Sequence, residues 1–446
     1  MIRFRITLFF LLVSIGAIAQ DVTRTLDELL RAYEKQGKFN GSALVAYKGR
    51  ILLEKGYGWK NVTDSLKNDE KTIYQIGSVT KQFTATLILQ QQEASKLSVN
   101  DQLIKYFPSY PKGDSITIHN LLTHTSGIYN YTNDGKFMTE SAIKPQTRDY
   151  MISLFEKKPL GFKPGSRFSY CNSGYMLLGY ILEDVSKKKW EQLMHERILD
   201  PLSMTSSGFD FVALKNPNKA TGYFVMDGKN NTPATIVDSS VAFSAGSLYS
   251  TVGDLYKWER AITSGKLLKP DSWKAELTPF KDKYAYGWFI DSLHGRKITR
   301  HGGGIFGFVS DLVRFPDDDL VIILLSNKPT GGLTVFANNL AAVVFNRPFD
   351  WPTDRKEIHV SEEILQQYAG DYQLSPDFIV TIILENGKLK ARATGQPQFQ
   401  LFAERENYFF LKAVDAQVEF IKDSAGKVEK MILYQGGGRT EGKKIK

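Results

Sequence analysis

Over residues 22–36 the apolar positions Leu26, Leu29, Leu30 and Tyr33 recur at helical spacing, which predicts an amphipathic helix. "GSALVAYKGRILLEKGYGW" then reads as a β-hairpin turning at Lys48-Gly49. A helix opens at about residue 78 with "QIGSVTKQFTATLIL". The long middle of the chain is mixed helix and loop, rich in Gly, Ser, Thr and Asn. Residues 297–327 return to strand, as two apolar runs joined by a turn at Pro316–Asp319, and a helix is expected over 330–345. Strands thus flank a mainly helical middle. That pattern predicts an α+β domain whose antiparallel sheet draws on both chain ends and is flanked by helices. "FNRPFDWPTDRKEIHV" (346–360 with Phe345 before it) carries Pro348 and Pro352 and reads as a linker. After a short helix near 361–369 come strands with hairpin turns at Asn386-Gly387 and around Ala425-Gly426, predicting a small all-β barrel. The expected order is a leader over 1–19, a main domain over 20–345, the linker, and the barrel over 361–446.

Composition narrows the class. The 446 residues are 42% hydrophobic, enough for a sizeable core. The leader has Arg3 and Arg5 at its start, an apolar run over 6–15, and Ala17-Ile18-Ala19 as a small-residue cleavage site. An exported protein, periplasmic or secreted, is expected, with no membrane-spanning segment after cleavage. Cys171 is the one cysteine, so no intramolecular disulfide can form. No histidines stand at metal-ligand spacing, and neither metal nor cofactor is called for. The net charge of +9 drops to +7 when the leader arginines leave. It is spread along the chain rather than gathered in a basic stripe, which argues against nucleic acid as a partner. A small-molecule or peptide acyl substrate is expected instead, with peptidoglycan as one candidate.

Three separated clusters carry candidate chemistry. Ser78 and Lys81 stand one helical turn apart on the same face. A serine hydroxyl is a weak nucleophile and needs a base. A lysine withdrawn from water has a lowered pKa and can take the proton. The bland alternative is a capping serine and a solvated lysine. The second cluster is Tyr170-Cys171-Asn172, just before the apolar run "SGYMLLGYIL". The third is His301-Gly302-Gly303-Gly304, entering a strand, where glycines permit close approach of backbone to substrate. There is no G-x-S-x-G elbow of an α/β-hydrolase. His124, in "LLTHTSGI", reads as a structural residue bonding loop backbone. Tyr129, Tyr131 and Trp288 read as aromatic core or as walls of an acyl pocket.

Together the Ser-x-x-Lys, Tyr-x-Asn and His-x-Gly clusters resemble the serine β-lactamase and penicillin-binding protein superfamily. The version here is similar to the branch that contains class C β-lactamases, D-alanyl-D-alanine carboxypeptidases, D-aminopeptidases and related esterases. "LLTHTSGI", "KPGSRFSYCNSGYMLLG" and "AGSLYSTVGDL" support the resemblance, which spans roughly residues 25–330. It implies that Ser78 is acylated and that Lys81 and Tyr170 share the proton transfers, with Tyr170 acting as phenolate or through Lys81. It implies that Asn172 holds Lys81 and the substrate amide, and that the N–H groups of Ser78 and Gly304 form the oxyanion hole. Substrate binding would fall to Asn172, His301, Gly303 and Gly304. Two departures stand out. Gly302 and Gly304 lack hydroxyls that help relatives bind a substrate carboxylate, and His301 offers less charge than a lysine. The expected activity is therefore a peptidase, amidase or esterase. The alternatives are a class C-type β-lactamase or carboxypeptidase, an acyltransferase, and a non-catalytic envelope sensor. Cys171 is expected to pack away from the site.

Overall fold

At the first predicted hairpin, Lys48 and Gly49 both take positive φ (50° and 72°), the geometry a two-residue turn needs to match strand twist. The computed structural model describes residues 21–349, 351–352, 356–375, 378–394, 398–411, 416–435 and 438–445. The expected leader lies outside these. The described chain falls into two compact units. One holds the chain up to Pro329 together with the stretch from Ala337; the other holds Thr330–Phe336 and the chain from Trp351 onward.

The first unit opens with helix α1 (21–35), whose Leu26, Leu29 and Leu30 are fully buried, as their spacing predicts. Strands β1 (Gly41–Tyr47) and β2 (Arg50–Tyr57) form the hairpin. A single 3₁₀ turn, Gly77–Val79, leads into α2 (Thr80–Glu93). Further along come α3 (Asn172–Ser186), α4 (Ser239–Gly246) and α5 (Val252–Thr263). Strands β3 (Phe289–Leu293), β4 (Arg296–Ile305), β5 (Phe308–Phe315) and β6 (Leu320–Ser326) complete a sheet of order β2-β1-β6-β5-β4-β3. Every neighbouring pair is antiparallel. The two ends of the domain therefore meet at the β1–β6 pair, and the fold class is the one the sequence predicts.

Residues 297–327 hold three strands rather than two, because "IFGF" turns at Phe306-Gly307 with Gly307 at φ 76°. The apolar flanks hide that turn. β6 is buried along its whole length, which explains its unbroken apolar run. Helix α5 packs on β1 and β6, while α2, α3 and α4 pack on one another. Among the described residues no helix is long and apolar enough to cross a membrane.

In the second unit eight strands, from Gly370–Ser375 to Gly438–Lys444, form a closed up-and-down barrel. Asn386 and Gly387 take φ 51° and 69° at the predicted hairpin. A short helix, Glu362–Tyr368, precedes the barrel, and Tyr368, Tyr372, Phe409, Phe420 and Met431 fill its core.

Candidate active site

The turn at Gly77–Val79 brings Ser78 to the start of α2 without using its side chain as a cap: neither flanking cap position makes a side-chain bond. Lys81 is fully buried, which removes the solvated-lysine reading. Its Nζ lies 3.0 Å from Ser78 Oγ, 2.8 Å from Asn172 Oδ1 and 2.7 Å from the Ala245 carbonyl. The last two groups only accept. An uncharged lysine amine spends both N–H bonds on them and keeps its lone pair for the Ser78 hydroxyl. Burial pushes the Lys81 pKa well below its ordinary value, so that uncharged form is within reach.

Each partner of Lys81 is itself held. Asn172 opens α3, and its Nδ2 donates to Thr132 Oγ1 at 3.2 Å, which orients Oδ1 toward Lys81. The Asn172 backbone N–H donates to Asn130 Oδ1. The Ala245 carbonyl reaches Lys81 because α4 is kinked at Phe243 (φ 37°, ψ −138°). A non-glycine residue there stores about 1–3 kcal/mol of strain. The same kink aims the Ser244 carbonyl at Thr84 Oγ1 (2.7 Å) and is packed by Tyr180 and Trp190. Asn130, Thr132 and Ala245 were not singled out as site residues in the sequence. Ala245 does stand in "AGSLYSTVGDL", and Asn130 two residues beyond "LLTHTSGI".

The Tyr170 hydroxyl is buried and makes no well-formed hydrogen bond. Burial pushes the phenol up, and the neighbouring Ser78 hydroxyl only partly offsets this. Lys81 Nζ sits 4.9 Å from the centre of the Tyr170 ring. A phenolate base is therefore disfavoured, and of the two routes the sequence left open, the one through Lys81 fits. Cys171 is buried, with its Sγ donating to the Ile128 carbonyl at 3.3 Å.

The third cluster meets the nucleophile turn directly. A Cβ on Gly303 would fall 2.0 Å from the Ile76 carbonyl oxygen and 2.4 Å from Ser310 Oγ. One on Gly77 (φ 51°) would fall 2.8 Å from the Gly304 nitrogen. So Gly303 serves packing of β4 on the turn before Ser78, not substrate contact as expected. Gly304 has open space where a Cβ would project. Strand β3 pairs β4 only as far as Arg300, which leaves the β4 edge at Gly304 free of a neighbouring strand on that side. Ser78 and Gly304 both line one cleft, as an oxyanion pair must.

His301 departs from expectation. It is 3% exposed, its Nε2 lies 3.0 Å from the Tyr284 hydroxyl, and its Nδ1 lies 2.6 Å from the Gly302 carbonyl. It does not line the cleft, and burial with Lys81 nearby lowers its pKa to about 3. It therefore cannot stand in for a lysine facing substrate. Arg300 does not compensate, since it pairs with the buried Asp311. The cleft, about 450 Å³, is walled by Tyr131, Met138, Phe224, Val241, Phe306 and Val309 beside Ser78 and Asn172, and among the described residues no charged side chain lines it. Tyr131 is thus a wall residue, Trp288 is buried in the core, and the half-buried Tyr129 packs against that core. Among the described residues no cluster of three His, Cys, Asp or Glu could hold a metal ion.

A family model described as Beta-lactamase matches residues 26–345. The chain belongs to the beta-lactamase family. This family of serine hydrolases includes penicillin-binding-protein relatives. The putative penicillin-binding protein PbpX of Bacillus subtilis (strain 168) is 34% identical over 275 residues, 61% of this chain and 68% of that protein. Penicillin-binding protein 4* of the same organism is 26% identical over 454 residues, 96% of this chain and 100% of that protein. The octameric penicillin-binding protein homologue from Pyrococcus abyssi superposes with a TM-score of 0.66 at 25% identity, covering 94% of this chain and 99% of its own. A second model, a domain of unknown function (DUF3471), matches residues 354–443 of this beta-lactamase family member, the stretch that holds the barrel.

Proposed function

We propose that this chain is an exported serine hydrolase that cleaves uncharged esters or amides through an acyl-Ser78 intermediate. In this reading Lys81 takes the Ser78 proton as Oγ attacks the acyl carbon. The oxyanion is held by the N–H groups of Ser78 and Gly304. Tyr170 gives its hydroxyl proton to the leaving group as the proton held on Lys81 passes to the Tyr170 oxygen, so that no phenolate is left behind, and water later releases the acyl group by the reverse sequence. The observation that supports the substrate class is the cleft wall, which carries no charged side chain beside Ser78. A substrate carboxylate would find no cation there, and a free α-ammonium would find no carboxylate.

The test compares kcat/KM for a nitrophenyl ester with that for a chromogenic cephalosporin bearing its carboxylate. A charge-assisted hydrogen bond is worth about 1.5–3 kcal/mol, so its absence should favour the ester by about one to two decades. A cephalosporin efficiency far above that of the ester would make the enzyme a β-lactamase instead.

A further inference from the structure

The second and third clusters are joined by a run of hydrogen bonds whose direction is dictated by its two ends. The backbone N–H of Cys171, between Tyr170 and Asn172, donates to His124 Nδ1 at 3.1 Å. His124 Nε2 lies 3.2 Å from the Tyr284 hydroxyl, which lies 3.0 Å from His301 Nε2. His301 Nδ1 lies 2.6 Å from the Gly302 carbonyl. A backbone amide only donates and a carbonyl only accepts, and a neutral imidazole carries one ring proton. His124 must therefore hold its proton on Nε2 and give it to the Tyr284 oxygen. Tyr284 must in turn donate to His301 Nε2, and His301 must hold its proton on Nδ1. His124, Tyr284 and His301 are each at most 3% exposed, so bulk water does not compete for these bonds.

We propose that His124 and Tyr284 are positioning residues that lock His301 as the uncharged Nδ1–H tautomer and so fix the third cluster as a neutral element of the site. This rests in part on the reading that the acyl donors are uncharged, for which it supplies a cause. To become an imidazolium, His301 would need a second proton on Nε2. Tyr284 would then receive protons from both histidines and would have to re-aim its own. The surroundings of His301 oppose a positive charge as well: burial is the main cause, with Tyr170, Tyr284 and Phe289 closing around its ring and excluding water, and the Arg300 guanidinium adds to it. The same bonds span from the backbone between Tyr170 and Asn172 to the strand that carries Gly304, so they hold two halves of the site in register.

The experiment is two-bond ¹H–¹⁵N NMR on the full chain labelled with ¹⁵N at its six histidines. His124 and His301 are assigned by His124→Gln and His301→Gln. The expected result is an Nε2–H tautomer for His124 and an Nδ1–H tautomer for His301, neither titrating between about pH 5 and 8. A His301 that carries its proton on Nε2, or that titrates in this range, overturns the proposal. In Tyr284→Phe the Nδ1–H stays on the Gly302 carbonyl while Nε2 loses its donor and becomes free to take a second proton, so His301 should begin to titrate. The ratio of kcat/KM for a carboxylate-bearing ester to that for its uncharged analogue should rise about tenfold at the lower pH, the equivalent of one modest hydrogen bond. A folded Tyr284→Phe whose His301 signals match the wild type also overturns it. Should that variant fail to fold, the wild-type tautomers still decide. Because the NMR reading needs no turnover, it can fail while the uncharged-donor reading holds, and the ester comparison can fail while the tautomers are as stated.

Discussion

Gly303→Ala tests how tightly the strand at the third cluster is pressed against the nucleophile turn. The added Cβ would lie 2.0 Å from the Ile76 carbonyl oxygen and 2.4 Å from Ser310 Oγ. Those two atoms are hydrogen-bonded to each other at 2.8 Å, so neither can rotate away cheaply. An ordinary carbon–oxygen contact needs about 3.5 Å, so the turn and the strand must separate by on the order of 1 Å. Overpacking of this kind costs about 1–3 kcal/mol. In a domain of this size that lowers Tm by a few degrees, at roughly 2–4 °C per kcal/mol. The effect on chemistry should be larger. The same displacement moves Ser78 away from Gly304, and a misplacement of about 1 Å costs about 10²-fold in rate. The neighbouring control is Gly304→Ala, whose Cβ meets open space and should leave stability within about 0.5 kcal/mol of wild type. Thermal unfolding and burst kinetics with a nitrophenyl ester read the two effects separately. If Gly303→Ala acylates at the wild-type rate and unfolds at the wild-type temperature, the contact between β4 and the Ser78 turn is not as described.

Other outcomes follow from the same geometry. Lys81→Met and Tyr170→Phe should each lower acylation by about 10²–10⁴-fold, and the double variant should lose little more than the worse single one, because the two serve one proton path; fully additive losses in pre-steady-state acylation would mean independent roles. Glu276, fully buried and bonded to Thr86 and Trp288, has its pKa pushed up to about 8 by burial. Its folded value exceeds its unfolded one, so the stability it contributes is complete below about pH 4.5 and is lost as pH rises through about 8. Glu276→Gln should therefore flatten the fall in Tm between about pH 5 and 8.5, and an unchanged slope would contradict this. Thr132→Val removes the acceptor that orients the Asn172 amide, so it should lower acylation by about tenfold with little change in Tm, and an unaltered rate would sink that role.

The parts of the fold legible in the sequence are those fixed by local chemistry. Lys48-Gly49 and Asn386-Gly387 announce their turns because few residues accept positive φ in succession. Ser78 and Lys81 are paired by helix geometry alone, one turn apart. The sheet follows from apolar runs at both ends of the domain. What was hidden depends on contacts distant along the chain. The Ala245 carbonyl reaches Lys81 from 164 residues away, by way of a backbone kink that nothing in "SSVAFSAG" signals. Gly303 looked like a glycine making room for substrate, yet the group it makes room for is a carbonyl 227 positions earlier in the chain. Tyr284 is one tyrosine among 21, and only its place between two buried histidines sets it apart.

The central claim is that Ser78 becomes acylated with Lys81 as its base. Intact-protein mass spectrometry of an acid-quenched reaction with a nitrophenyl ester tests it most directly. The wild type should gain the mass of one acyl group, located by peptide mapping to the segment holding Ser78, and Ser78→Ala should fold normally and gain nothing. An adduct that persists in Ser78→Ala, or that maps to another residue of the wild type, would contradict the account.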